Sequence, residues 1–111
     1  GFIGSPKMNF IPAKFISKNK NDIEIEFLNS KFIFNYENDI NFKKQELIVG
    51  IRPENIHVSF DNDYNWRSKA FVVEKLGSST FIYLDSQIEP VVVECDCYIS
   101  VKNGDIIKGI I

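Results

Sequence analysis

The sequence predicts an all-β chain, a sandwich or small barrel of about eight short strands built from two related half-units. Three observations carry that prediction. Apolar residues recur at every second position, the period of a strand, and no stretch shows convincing helical spacing. Turn-forming residues break the chain at short intervals. Residues 40–52 (INFKKQELIVGIR) also match residues 99–111 (ISVKNGDIIKGII) without a gap. Ile40/Ile99, Lys43/Lys102, Ile48/Ile107, Gly50/Gly109 and Ile51/Ile110 are identical in that match.

Taken in order, the elements follow from alternation and punctuation. In DIEIEF, Ile23, Ile25 and Phe27 alternate with Asp22, Glu24 and Glu26, a half-buried strand. KFIFNY places Phe32, Phe34 and Tyr36 on one side, and Asn29-Ser30 supplies the hairpin turn between the two. Leu47–Arg52 forms a strand that must stop at Pro53, which has no N–H for a ladder and pushes Arg52 toward extended backbone. PENIH allows a short helical turn, and FDNDYNW reads as a surface loop. KAFVVEKL and TFIYLD flank a second hairpin in which Gly77 can take a positive φ. VVVECDCYISV is expected to run as one strand, with Val91, Val93, Cys95, Cys97, Ile99 and Val101 on its apolar face. KNGD turns the chain into a last strand, IIKGII. KFIS (14–17) and AFVV (70–73) are the candidate earlier strands of the two half-units. A glycine inside each closing strand marks a bulge or a close backbone approach.

Composition narrows the function. The 111 residues are 44% hydrophobic and 25% charged, as in an ordinary globular domain. No apolar run approaches the roughly 20 residues of a membrane span. A net charge of −2 argues against nucleic acid as the main partner. The many aromatics fall mostly at core-facing periods, which favours packing over base stacking.

Catalytic and metal constellations do not emerge. No phosphate-cradling glycine loop is present, and His57 is the single histidine. Cys95 and Cys97 are too few for a closed zinc site and too close for an easy disulfide. They read as small buried side chains, with a metal or redox role as the alternative. Glu94 and Asp96 share the opposite face, read as solvated or as a weak ion or partner contact. The segment GIRPENI (50–56) reads either as a rigid strand exit or as a surface from which Arg52 and Glu54 reach a partner.

Four blocks carry a resemblance. GFIGSPKMNFIP, GIRPENI, VVEKLGSSTFIYL and NGDIIKGI occur in this order across nearly the whole chain. Together they resemble the C-terminal regulatory region of the ATP-binding subunits of maltose-type carbohydrate importers of the ABC class. The resemblance implies a transport-associated, OB-like β-barrel assembled from two half-units. On that reading residues 1–6 are the junction from a nucleotide-binding domain, with Ser5-Pro6 as hinge, and residues 7–111 are the regulatory domain, whose first strand is Met8–Ile16. Asn55 stands where the family has histidine, and Ser79 where it often has an acid. The family pattern continues beyond Ile111, so a further element is expected there; without it an edge strand is exposed.

The function so implied is non-catalytic: dimerisation and control of a sugar-importer ATPase through protein contacts. ATP and Mg²⁺ are expected in the nucleotide-binding domain, and no cofactor or metal in this chain. The expected partners are a second copy of the subunit, the membrane subunits through the nucleotide-binding domain, and a regulatory protein, at the cytoplasmic face of the cell membrane. Resemblance and turn position put the partner-facing candidates at Arg52, Pro53, Glu54, Asn55 and His57, and at Lys75, Gly77, Ser78 and Ser79. The alternative is an oxyanion-binding module, for which Lys75 with Gly77-Ser78-Ser79 is the candidate donor cluster.

Overall fold

Strand periodicity translates directly into backbone. A computed structural model describes residues 7–36, 46–85, 90–96 and 99–111. The junction 1–6, the first part of the repeat (residues 40–45) and Cys97 lie outside the described residues. The strands are β1 (Asn9–Asn19), β2 (Asp22–Phe27), β3 (Ser30–Asn35), β4 (Glu46–Ile51), β5 (His57–Ser59), β6 (Trp66–Leu76), β7 (Ser79–Leu84), β8 (Val91–Asp96) and β9 (Ile106–Ile110). A single 3₁₀ turn, Pro53–Asn55, separates β4 from β5.

The strands form two antiparallel sheets, ordered β3-β2-β1-β4 and β5-β9-β6-β7-β8. Among the described residues they are not closed into a barrel by a continuous ladder. The order is nevertheless the same in both halves. Each half-unit has an 11-residue first strand flanked on one side by a meander of two strands and on the other by its closing strand. Each long strand also carries one irregularity against its hairpin partner, between Phe15 and Ser17 in β1 and between Ala70 and Val72 in β6.

Register and burial fix the equivalence of the halves. Phe15 corresponds to Ala70, Ile25 to Leu84, and Phe32 to Val91. The pair Ile11–Val49 across β1 and β4 then corresponds to Trp66–Gly109 across β6 and β9. The gapless sequence match is therefore displaced by one residue in the closing strands. It aligns Gly50 with Gly109, but Gly50 is exposed and Gly109 buried, on opposite faces of their sheets. A one-residue slip exchanges the faces of a strand, so identity matching alone cannot see it.

The core collects the inward residues of both sheets, among them Ile11, Ile23, Ile25 and Phe27 from one and Trp66, Ile82, Leu84 and Val93 from the other. Fully burying a large side chain of this kind contributes about 1.5–3 kcal/mol. Phe27 stacks on Phe32 with ring centroids 4.3 Å apart. The Trp66 indole N–H and the Thr80 hydroxyl are buried with no hydrogen-bond partner among the described residues. No helix among them is long and apolar enough to cross a membrane.

Several boundaries differ from the sequence expectation. The β2–β3 turn sits at Leu28-Asn29, both at positive φ, rather than at Asn29-Ser30. Leucine is an unusual residue there, and the tight Phe27–Ser30 pairing holds it in place. The strand expected over 91–101 ends at Asp96, where the Ile99 N–H donates to the Asp96 carbonyl at 3.2 Å and turns the chain. Trp66, grouped by its polar neighbours with a surface loop, opens β6 and is fully buried. Phe10, Phe60 and Phe71 are exposed rather than core-facing.

Candidate partner-facing surface

The exit from β4 is rigid, and the reason is local. Arg52 is extended (φ −72°, ψ 144°), as a residue before proline must be. Pro53 opens the 3₁₀ turn, where its missing N–H costs nothing. The Asn55 N–H donates to the Arg52 carbonyl at 2.9 Å, and Pro53 and Ile56 are buried in a turn packed against β8. With two apolar anchors fixed, Arg52, Glu54, Asn55 and His57 are held outward in solvent. Pro53 is thus the anchor of the segment and not itself a contact surface.

The second predicted segment is the tip of the β6–β7 hairpin. Leu76 pairs with Ser79, and Gly77 takes φ 62° between them. Lys75, Gly77 and Ser78 are exposed, while Ser79 is half-buried and its hydroxyl donates to Glu94 Oε1 at 3.4 Å. Ser79 also pairs with Asp96 across β7 and β8. Carboxylates beside the hairpin oppose an oxyanion at Lys75–Ser79, because the hydroxyl is already given to a carboxylate.

Each segment adjoins β8, the Pro53–Asn55 turn by packing against it and the hairpin through the pairing of Ser79 with Asp96. An open cleft of about 640 Å³ has Ile56, His57 and Phe60 on one side and Glu94, Cys95 and Asp96 on the other. Cys95 Sγ lies 3.6 Å from the Thr80 carbonyl, to which it donates. Burial, with Asp96 and Glu94 adding to it, pushes its thiol up to about 11, so it stays protonated and unreactive at neutral pH. That agrees with an inert reading for Cys95. Among the described residues no three His, Cys, Asp or Glu side chains group as metal ligands.

Two asparagines that sequence reading did not single out hold the fold around this surface. Asn9 is buried; its Nδ2 donates to the Val92 carbonyl and its Oδ1 accepts from the Val92 N–H, both at 2.8 Å. The carboxamide imitates a strand residue and joins β1 to β8, one half-unit to the other. The signal was a polar residue at the head of an inward row otherwise made of Ile11 and Ala13. Asn65 makes the same fork onto Ile111, at 2.9 and 3.0 Å, but in solvent. The loop before it is tied by Ser59 and Asp61. The Asp63 N–H and the Ser59 hydroxyl both donate to the Asp61 carboxylate and hold its pKa below the usual value.

Comparison with known proteins places these features in context. Residues 4–56 match the family described as the MalK OB fold domain. The maltose/maltodextrin import ATP-binding protein MalK of Aliivibrio fischeri is 38% identical over 85 residues, covering 76% of this chain and 23% of that protein. Its counterpart from Yersinia pestis bv. Antiqua is 35% identical over 85 residues, with the same coverage. That of Vibrio cholerae is 31% identical over 86 residues, 77% of this chain and 23% of the relative. The chain thus spans under a quarter of the length of the curated relatives it matches.

Proposed function

Because this chain belongs to the MalK OB-fold domain family, we propose that it is the C-terminal control and dimerisation domain of a sugar-importer ATP-binding subunit. It works through protein contacts and performs no chemistry of its own. The observation that carries this reading is similarity to MalK proteins over 76% of the chain, across a fold whose first candidate segment presents charged side chains on the buried anchors Pro53 and Ile56. ATP and Mg²⁺ belong to the nucleotide-binding domain of the intact subunit, which sits at the cytoplasmic face of the membrane against the transporter's membrane subunits.

The role is mechanical. A contact between two such domains keeps two subunits associated while their nucleotide-binding domains separate and close through the ATPase cycle. Such a contact between identical copies is isologous, each patch meeting itself across a two-fold axis. Arg52, Glu54, Asn55 and His57, with the Lys75–Ser79 hairpin, form the face open to a regulatory protein. Two anchors and a tight turn fix that face before binding, which lowers the ordering cost of recognition.

The test is sedimentation equilibrium of the intact subunit and of one from which this domain is deleted. The intact subunit should self-associate more tightly without nucleotide. Equal self-association of the two would sink the tethering role.

A further inference from the structure

We propose that Asn9 is a positioning residue for the partner-facing turn Arg52–His57, and that its carboxamide makes the seat of that turn depend on the junction before β1. The regulatory meaning rests on the functional reading above; the clamp rests on its own geometry.

The turn is strung between the two sheets. It leaves β4, in the first sheet, after Ile51 and enters β5, in the second, at His57. Between these points it is anchored by the buried Pro53 and Ile56 and packs against β8. Arg52, Glu54, Asn55 and His57 therefore keep their places only while β4 and β8 hold still relative to each other.

Asn9 joins those two supports. Its backbone stands opposite Ile51, the residue before Arg52, in the β1–β4 ladder. Its side chain takes both backbone groups of Val92 in β8: Nδ2 donates to the carbonyl and Oδ1 accepts from the N–H, each at 2.8 Å. Asn9 is itself buried. Opening the fork strands four polar groups in a partly buried site, so the joint is either made or broken rather than stretched. Two discrete arrangements of one element are what coupling between sites requires.

The fold does not demand this joint. Ile11 corresponds to Trp66, so Asn9 corresponds to Tyr64. Tyr64 is exposed, with the Lys108 ammonium 4.9 Å from its ring centroid. The fork belongs to the half-unit whose first strand follows the junction. Asn9 is the first residue of β1, and only Lys7 and Met8 separate it from residues 1–6. A shift of the junction thus reaches Asn9 first, and through it Ile51 on one side and Val92 on the other. A partner that holds Arg52–His57 in the seated arrangement stabilises the fork in return.

Amide hydrogen exchange of the intact subunit tests the clamp and the coupling in turn. Asn9→Ala should speed exchange at Asn55 and Ile56 about tenfold more than Ile23→Ala does. Ile23 lies opposite Lys18, towards the other end of β1, and its truncation has a comparable cost, so it carries the purely structural effect. Asn9→Asp keeps the acceptor for the Val92 N–H and loses the donor. Its exchange should fall between wild type and Asn9→Ala, and it replaces the alanine variant if that one does not fold. Exchange at the turn no faster than in Ile23→Ala would overturn the clamp. ATP should then change exchange at Asn55 and Ile56 about fivefold or more in the wild type and leave Asn9→Ala unmoved. A turn that ignores ATP in the wild type, or responds equally in Asn9→Ala, would overturn the coupling. The dimerisation role is judged separately, by the domain-deleted subunit.

Discussion

Ile11 faces Val49 in the first half-unit, and Trp66 faces Gly109 in the second. The positions are equivalent in strand order and register and all face inward, yet one pair is two medium side chains and the other is a large ring over none. Both solutions fill one slot, as close packing requires. What differs is the tolerance for error. A Cβ on Gly109 would run into the Trp66 ring and the His57 carbonyl, and backbone cannot yield. At Gly50, the nearest obstacle is the Met8 sulfur at 2.9 Å, the far part of a flexible side chain. The second half-unit is closed by its own β5 and by a packed ring. The first is looser, and its β4 pairs with β1 alone among the described residues.

The largest expected effect breaks that contrast. Gly109→Ala should destabilise the domain by about 3 kcal/mol or more, since the clash is with a ring and with backbone. Gly50→Ala should shift stability by no more than about 1 kcal/mol in either direction. Urea denaturation of the two variants measures both. Transplanting the first half-unit's pair sharpens the point. Gly109→Val and Trp66→Ile should each be severe alone, and the double variant should recover about 1–3 kcal/mol of their sum. Strict additivity would mean that the two slots are not equivalent.

Next come the two asparagines. Asn9→Ala removes two hydrogen bonds and strands the N–H and carbonyl of Val92 in a partly buried site, a loss of about 2–3 kcal/mol. Asn65→Ala, whose fork onto Ile111 lies in solvent, should cost about 1 kcal/mol or less. Equal losses would remove Asn9 as the joint between the half-units. A smaller change of opposite sign is expected at Thr80, whose buried hydroxyl has no partner among the described residues. Thr80→Val should stabilise by about 1 kcal/mol, read as a raised denaturation midpoint.

The smallest effect is in pH. Cys95 has its folded pKa raised from 9.0 to about 11. A raised folded value means that its contribution is complete below pH 9 and is lost as pH climbs from 9 towards 11. In a Cys97→Ser background, stability should fall across that window more than in the Cys95→Ala, Cys97→Ser variant. Parallel profiles would mean the thiol is not desolvated.

Much of this fold can be read from alternation. Ile23, Ile25 and Phe27 point inward as their period demands, and Gly77 and Gly104 sit at positive φ in the turns assigned to them. Gly109 is the close approach that a glycine within a closing strand implies. Three features were hidden for physical reasons. The repeat was matched by residue identity, whereas the face of a strand follows parity, so Gly50 was set against the wrong partner. Trp66 was obscured by Asp61, Asn62, Asp63 and Asn65, because local polarity says nothing of a ring reaching across to Gly109. Alternation through Ile99 and Val101 continued past a chain turn at Asp96, since buried residues outside a strand can mimic its period. At the candidate surface, the anchoring role of Pro53 followed from its chemistry. The meeting of His57 with Glu94 and Asp96 at one cleft is a long-range fact that no local pattern encodes.

The most direct measurement is amide hydrogen exchange along β4 and β9. Protection at Ile107–Gly109, held between β5 and β6, should exceed that at Leu47–Ile51, which pairs with β1 alone among the described residues. Equal protection of the two closing strands would contradict the claim that the second half-unit is the more tightly closed.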